Sequence, residues 1–231
     1  MPTAFFVFCL DNLAMRIYNI KKLWRFKMSN MTYEYTENKT ALETYEWDNT
    51  WIEQANNADT PRVLYIGDSI SYATRRIVTA TSEGTLLVDG YGSSKALDNP
   101  FLYDSIRMFA AQQGRRSAII VNNGLHGWHL SDTEQYPELY DKLIAFLIEE
   151  FKGTPIFVVL TTSVRDAARE ERVKARNAAA LAVAEKYGLD VIDLYSISAA
   201  NHDLWSDGVH FQRECYELFA KHIIECVKKV I

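Results

Sequence analysis

The chain has 231 residues, a formal net charge of −5 and no long basic block, so it lacks the clustered basic face of a nucleic-acid binder. About half the residues are apolar and about a quarter charged, a globular composition with enough length for one sizeable core. Three cysteines, Cys9, Cys215 and Cys226, are too few and too odd in number for a disulfide framework, and no apolar run is long enough to cross a membrane.

At the N-terminus the apolar run at 4–10 is short, has no basic residue before it and meets Asp11 at once. Lys21, Lys22 and Arg25 lie after it, on the wrong side for an export signal. Residues 1–31 therefore read as a disordered extension or an unused upstream start, with Met28 and Met31 as alternative starts. The expected location is the cytoplasm, an atypical export signal being the alternative. Residues 32–60 are polar with aromatic punctuation at Tyr33, Tyr35, Tyr45, Trp47 and Trp51, and read as a segment packing on the domain that follows. A short helix is expected over 46–55, its tryptophans anchored under a sheet.

The domain proper is expected over 61–231. Residues 62–66 are a β-rich apolar run, a strand buried on both faces as in a parallel sheet. Gly67 breaks it, and Asp68-Ser69 follow at its carboxyl end, the edge where ligands bind in open α/β sheets. Ser69 on that turn either presents its hydroxyl to a cleft or caps the next helix, expected over 69–80. A second strand at 85–88 leads into a glycine-rich loop over 89–94, and a helix runs to about Gln113. A third strand at 117–121 ends in Asn122-Asn123-Gly124-Leu125-His126-Gly127-Trp128-His129. Ser131 and Glu134 have the spacing of a capping box for a helix ending before Gly153.

A fourth strand spans 155–160, and a long charged helix runs from about 165 to 187, with Glu170 and Lys174 four apart and Gly188 just past its end. A fifth strand at 190–194, a polar loop over 201–210 and an amphipathic helix over 211–231 complete the chain, with Cys215 and Cys226 on the apolar stripe of that helix. Strand and helix alternating five times predict a five-stranded parallel sheet in a three-layer α/β/α sandwich, order 2-1-3-4-5.

Such a sheet gathers Ser69, Gly92, Asn122, Asn123, His126, Asp207 and His210 at one rim. A serine, a histidine, a carboxylate and oxyanion donors are the requirements of nucleophilic acyl transfer. Asp207 and His210, three apart across a turn, let a carboxylate hold imidazole Nδ1–H and leave Nε2 for the serine proton. His126 and His129 form a His-x-x-His pair with Asp132 nearby, a thin basis for a metal, and none is expected.

Gly67-Asp68-Ser69-Ile70, the glycine after the second strand, the polar turn after the third and Asp207-Gly208-Val209-His210 together resemble the four marker blocks of the SGNH (GDSL-type) hydrolases over about residues 61–231. The resemblance implies a flavodoxin-like fold and a cofactor-free serine esterase, many relatives removing acetyl groups from carbohydrates. It implies Ser69 as nucleophile, His210 as base and Asp207 as its orienter. It further implies an oxyanion hole of the Ser69 N–H, the Gly92 N–H (Gly90 as fallback) and a third donor. In the third block His126 stands where the family has asparagine, so that donor is His126, or else Asn122 or Asn123. Trp128, Trp205, Tyr91, Tyr72 and Arg165 lie near these loops in sequence; the tryptophans either stack on a sugar or wall the sheet edge, and Arg165 either holds an anion or opens a helix. The expected partner is a small-molecule or carbohydrate ester, with no nucleic acid. A thioesterase or lysophospholipase of the same fold, or a non-catalytic carbohydrate-binding relative, are the alternatives.

Overall fold

The computed structural model describes residues 40–231. The expected extension over 1–31, the apolar run at 4–10, Cys9, Met28, Met31, Tyr33 and Tyr35 lie outside the described residues. In chain order the elements are β1 (Asp48–Trp51), β2 (Arg62–Gly67), α1 (Ser69–Thr81), β3 (Leu87–Ser93), α2 (Leu102–Gln113), β4 (Ala118–Val121), α3 (Gln135–Glu150), β5 (Ile156–Val159), α4 (Ala167–Tyr187), β6 (Asp190–Ile192), α5 (Leu194–Ala200) and α6 (Arg213–Val227). A 3₁₀ turn, His202–Leu204, precedes α6.

The sheet runs β1-β3-β2-β4-β5-β6. The five strands from β2 onward pair parallel in the order expected. β2 is buried along its whole length, as its unbroken apolar sequence requires. By the two-residue pleat, Leu64, Ile66, Ile119, Val121 and Val158 share one core with the apolar stripes of α2, α3 and α4. The alternate residues Val63, Tyr65, Ile120 and Phe157 are also buried, on the face where α1 and α6 pack together. The fold is therefore a three-layer α/β/α sandwich.

The sixth strand is a departure. Residues 46–55 are not helical; β1 lies antiparallel on β3, pairing Asp48 with Ser93 and Trp51 with Gly90. Side chains lock that register: Asp48 accepts from Tyr91 (2.9 Å), Ser93 (2.7 Å) and Lys95 Nζ (2.7 Å). These hydrogen bonds hold the Asp48 carboxyl below its ordinary pKa against partial burial, which pushes the other way. Trp51 is not a core anchor. It is 39% exposed, with the Arg76 guanidinium 4.9 Å from its ring centre.

β3 also continues through 89–93, where a loop was expected. Its glycines serve close approach rather than turning. A Cβ on Gly90 would stand 2.4 Å from Arg75 Cδ, and one on Gly92 would stand 3.1 Å from the Asp68 carbonyl. The expected capping box before α3 does not form: Glu134 occupies the cap position with no side-chain cap bond, and Ser131 Oγ faces Thr133. α4 starts from an Asp166 cap and ends at Gly188 in the left-handed region, φ 63°. Lys174 pairs with Glu171 rather than Glu170, which instead accepts from Tyr195 Oη and the Val164 N–H. The strand expected over 190–194 stops at Ile192, and α5 follows directly from an Asp193 cap.

Candidate active site

The β2–α1 turn gives Ser69 its place. Asp68, not Ser69, caps α1, its Oδ1 accepting the Ile70 N–H at 2.9 Å. Cap duty thus falls to the buried neighbour, and the half-buried serine keeps its hydroxyl for other partners. The N–H of Ser69 belongs to the first turn of α1, where backbone donors have no intrahelical acceptor and the helix dipole favours negative charge.

The loop before α6 supplies the imidazole. Ser69 Oγ lies 2.8 Å from His210 Nε2, and His210 Nδ1 lies 2.7 Å from Asp207 Oδ2. Asp207 Oδ1 accepts the backbone N–H groups of Val209 (2.9 Å) and His210 (2.8 Å), so the carboxylate is fixed by its own loop. Partial burial pushes the Asp207 carboxyl up, but the His210 ring and these two N–H groups outweigh it and hold it below the usual carboxylate range. The loop is tied to the end of β5's own loop by the Arg165 N–H donating to the Gly208 carbonyl, 2.7 Å. Three groups from opposite ends of the domain form one chain of hydrogen bonds, the geometry of a nucleophile with its base and orienter.

The expected oxyanion donors divide. Ser94 N–H donates to the Trp47 carbonyl, and antiparallel ladders alternate bonded and non-bonded pairs, so the Gly92–Asn49 pair is a bonded one. The Gly92 N–H is thereby aimed at β1, and that of Gly90 likewise at Trp51. The strand that the sequence hides is what takes them, and Gly92 instead lets the β2–α1 turn sit against β3. Asn122 is also committed: its amide donates to the Val159 carbonyl (2.8 Å) and Thr161 Oγ1 (2.9 Å), stitching β4 to β5. Asn123 donates to the Lys95 carbonyl, 2.9 Å. His126 remains. It is buried, its Nδ1 stands 3.4 Å from Glu43 Oε1, and its Nε2 has no hydrogen-bond partner.

Arg176 of α4 holds the loop that carries His126. Its side chain is 0% exposed and donates to the carbonyls of Gly124 (3.0 Å), His126 (2.7 Å) and Gly127 (2.9 Å), and to Asp132 Oδ1 (2.7 Å). Arg172 also pairs with Asp132, and the two arginines hold that carboxyl below its ordinary pKa despite burial, which acts to raise it. His129 is bound to Asp98 at 2.8 Å. The residues of the His-x-x-His pair are each turned to a different protein partner. Neither Glu43 nor Arg176 stood out in the sequence; the one local hint is the buried face of α4, on which Arg176 falls beside Val173, Asn177 and Ala180.

The aromatic candidates also divide. Trp128 is 8% exposed, with Arg169, Arg172 and Arg176 within 5.4 Å of its ring centre, and offers no open face for stacking. Tyr91 is buried and bound to Asp48. Trp205 is half-buried, stacked on His202 at 4.4 Å with the Arg165 guanidinium 5.5 Å away, beside the His210 loop. Arg165 is exposed and precedes the Asp166 cap rather than opening the helix. Tyr72, one helical turn after Ser69, is exposed and lines an open groove of about 570 Å³ with Trp51, Arg76 and Arg213.

No family model and no curated protein matches the sequence. Solved structures do match. An α/β hydrolase from the metagenome of Lake Arreo, Spain, aligns with TM-score 0.59 at 15% identity, over 74% of this chain and 96% of that one. A member of the lipolytic protein G-D-S-L family from Veillonella parvula gives TM-score 0.58 at 17% identity, over 72% and 97%. An acetyl xylan esterase gives TM-score 0.59 at 16% identity, over 72% and 99%. The chain has the fold of the GDSL (SGNH) hydrolases.

Proposed function

We propose that this chain is a serine esterase that hydrolyses acyl esters, acetyl esters of a carbohydrate in particular, through an acyl-enzyme. The observation that carries the reading is the hydrogen-bonded chain from Ser69 through His210 to Asp207, at 2.8 and 2.7 Å. Ser69 Oγ bonds to the ester carbonyl carbon as its proton passes to His210 Nε2, while Asp207 keeps Nδ1 protonated and the ring oriented. The carbonyl oxygen becomes an oxyanion, accepted by the Ser69 N–H and by His126. The bond to the alcohol then breaks, and the alcohol leaves with the proton from His210. Water repeats the cycle: its proton goes to His210, its oxygen attacks the acyl carbon, and Ser69 recovers a proton as the acid departs.

The carbohydrate part is supported by the groove that opens one turn along α1. Trp51 and Tyr72 are exposed there, and aromatic faces of this kind suit a sugar ring. Similarity in fold to an acetyl xylan esterase points the same way. Trp205 and Arg165 lie beside the His210 loop. The test is hydrolysis of p-nitrophenyl esters by the full chain. Ser69→Ala is expected to lower turnover of the acetate by roughly 10⁴–10⁶. Undiminished turnover would remove the esterase reading, and a preference for long acyl chains would remove the acetyl part of it.

A further inference from the structure

The groove beside α1 has a charge opposite to that of the chain as a whole. The formal net charge of the chain is −5, yet the groove is lined by three arginines, Arg75, Arg76 and Arg213, and by no carboxylate. Ser69 heads the helical stripe that forms one wall. Tyr72, Ala73, Arg76, Ile77 and Ala80 follow it three, four, seven, eight and eleven residues on, the spacing of a single helix face, and all five line the groove. Arg213 begins α6, which packs on α1, and stands three residues after His210. Both walls thus lead back along the chain to the serine and the histidine.

The arginines have donors to spare. Arg76 is exposed and has no hydrogen bond or ion pair among the described residues; its contact is the face of Trp51, 4.9 Å from guanidinium to ring centre. A cation–π contact leaves the N–H groups free for an acceptor. Arg75 is 2% exposed, donates to the Asn49 side chain and the Gly90 carbonyl, and has a buried Nε–H with no acceptor. The carboxylate acting on Arg75 is Glu53, which accepts the Trp51 indole N–H at 2.8 Å instead of pairing with the guanidinium. Arg213 pairs with Glu217 at 2.8 Å on an exposed helix face, a contact that solvent weakens.

An acetyl group is too small to extend along this groove, so the part of the ester that fills it is the alcohol. Arg76 lies seven residues beyond Ser69, about 10 Å along the axis of α1 at about 1.5 Å per residue. We infer that the groove selects a carbohydrate whose alcohol part carries a negative substituent, a carboxylate or a sulfate, bound by Arg76 and Arg213 and attracted by the buried charge of Arg75. The inference rests on the esterase reading and narrows its substrate from sugar esters in general to acidic ones.

The test is acetate release by the full chain from two matched pairs: acetylated oligogalacturonate against the same oligomer with its carboxyls methyl-esterified, and an acetylated, sulfated oligogalactose against its unsulfated counterpart. Each pair differs in charge and keeps the sugar and the acetyl group. In one pair kcat/KM is expected to favour the charged member by about 10-fold to 100-fold, the worth of one or two hydrogen bonds to a charged group; which pair responds names the anion. Arg76→Gln should narrow that ratio by about 5-fold to 10-fold, and Arg76→Gln with Arg213→Gln should bring it near unity. Arg76→Lys should keep part of it, since a point charge attracts an anion without the paired geometry. Added salt should narrow it as well. The neutral member, measured in every variant, separates lost recognition from lost folding. A chain that hydrolyses p-nitrophenyl acetate through Ser69 but favours the charged member of neither pair, or whose preference survives the double substitution, would overturn this inference and leave the esterase reading standing. No hydrolysis of p-nitrophenyl acetate, or hydrolysis that survives Ser69→Ala, would overturn both.

Discussion

Replacing Arg176 by Met keeps a stem of similar length and removes a buried guanidinium that binds four oxygens. Asp132 does not become an unpaired charge, because Arg172 Nη2 still lies 3.1 Å from its Oδ1. The loss falls on the carbonyls of Gly124, His126 and Gly127 and on the contacts of the guanidinium with the Trp128 ring (4.4 Å) and the Tyr136 ring (4.7 Å). Hydrogen bonds to a charged group contribute about 1.5–3 kcal/mol each, so three would sum to about 4–9 kcal/mol if nothing relaxed. Water entering the vacated space and movement of the loop bring that down to about 3–5 kcal/mol, the low end for three buried acceptors that cost about 1–3 kcal/mol each when left unpaired. For a domain of this size about 2–4 °C of melting temperature accompanies each kcal/mol, so the expected fall is about 6–20 °C. Thermal and urea unfolding measure it. A drop below about 3 °C would refute the reasoning, since it would mean that the loop holds its shape without the guanidinium. Activity measured well below the transition should also fall, because the loop carries His126.

Two further outcomes follow from the same geometry. Gly90→Ala places a methyl 2.4 Å from Arg75 Cδ, in a buried side chain bound to Asn49, and should cost about 1–3 kcal/mol by urea midpoint; an unchanged midpoint would show that Arg75 yields freely. Asp132 and Asp207 both have depressed pKa values in the native chain, so the unfolded chain takes up their protons first as pH falls. Their stabilisation is fully present at neutral pH and is lost below about pH 5, down through the native values, and Asp132→Asn should flatten that acid limb of stability against pH.

The sequence makes the parallel strands and their order legible because each is a short apolar run closed by a glycine or a polar turn. Ser69, Asp207 and His210 could be singled out because strand ends in such a sheet converge on one rim. What stayed hidden depends on partners distant along the chain. Nothing local distinguishes β1 from a helix: Trp47 and Trp51 are four apart, and only pairing with Gly90–Ser93, some forty residues on, makes the segment a strand. That strand in turn reassigns Gly92, whose N–H could not be known to be occupied without it. Arg176 reads in sequence as one charge among many on α4, and Glu43 as one polar residue in a polar segment. Their roles come from burial against the loop over 124–127, which no spacing rule reports. The Ser131–Glu134 spacing matched a capping pattern, but the chain turns once more before α3 begins.

β1 has a consequence beyond the site. Without it, the outer side of β3 would be a raw seam of backbone donors and acceptors, flanked by Val88 and Tyr91, the kind of surface onto which a second polypeptide adds a strand. The polar ribbon ahead of the parallel core is therefore a selvage: it closes the fabric of the sheet against unravelling into intermolecular β-structure, while its leading end supplies the carboxylate beside His126. Trimming the chain to its motif-bearing part at residue 61 would keep the serine, histidine and aspartate and discard both services at once.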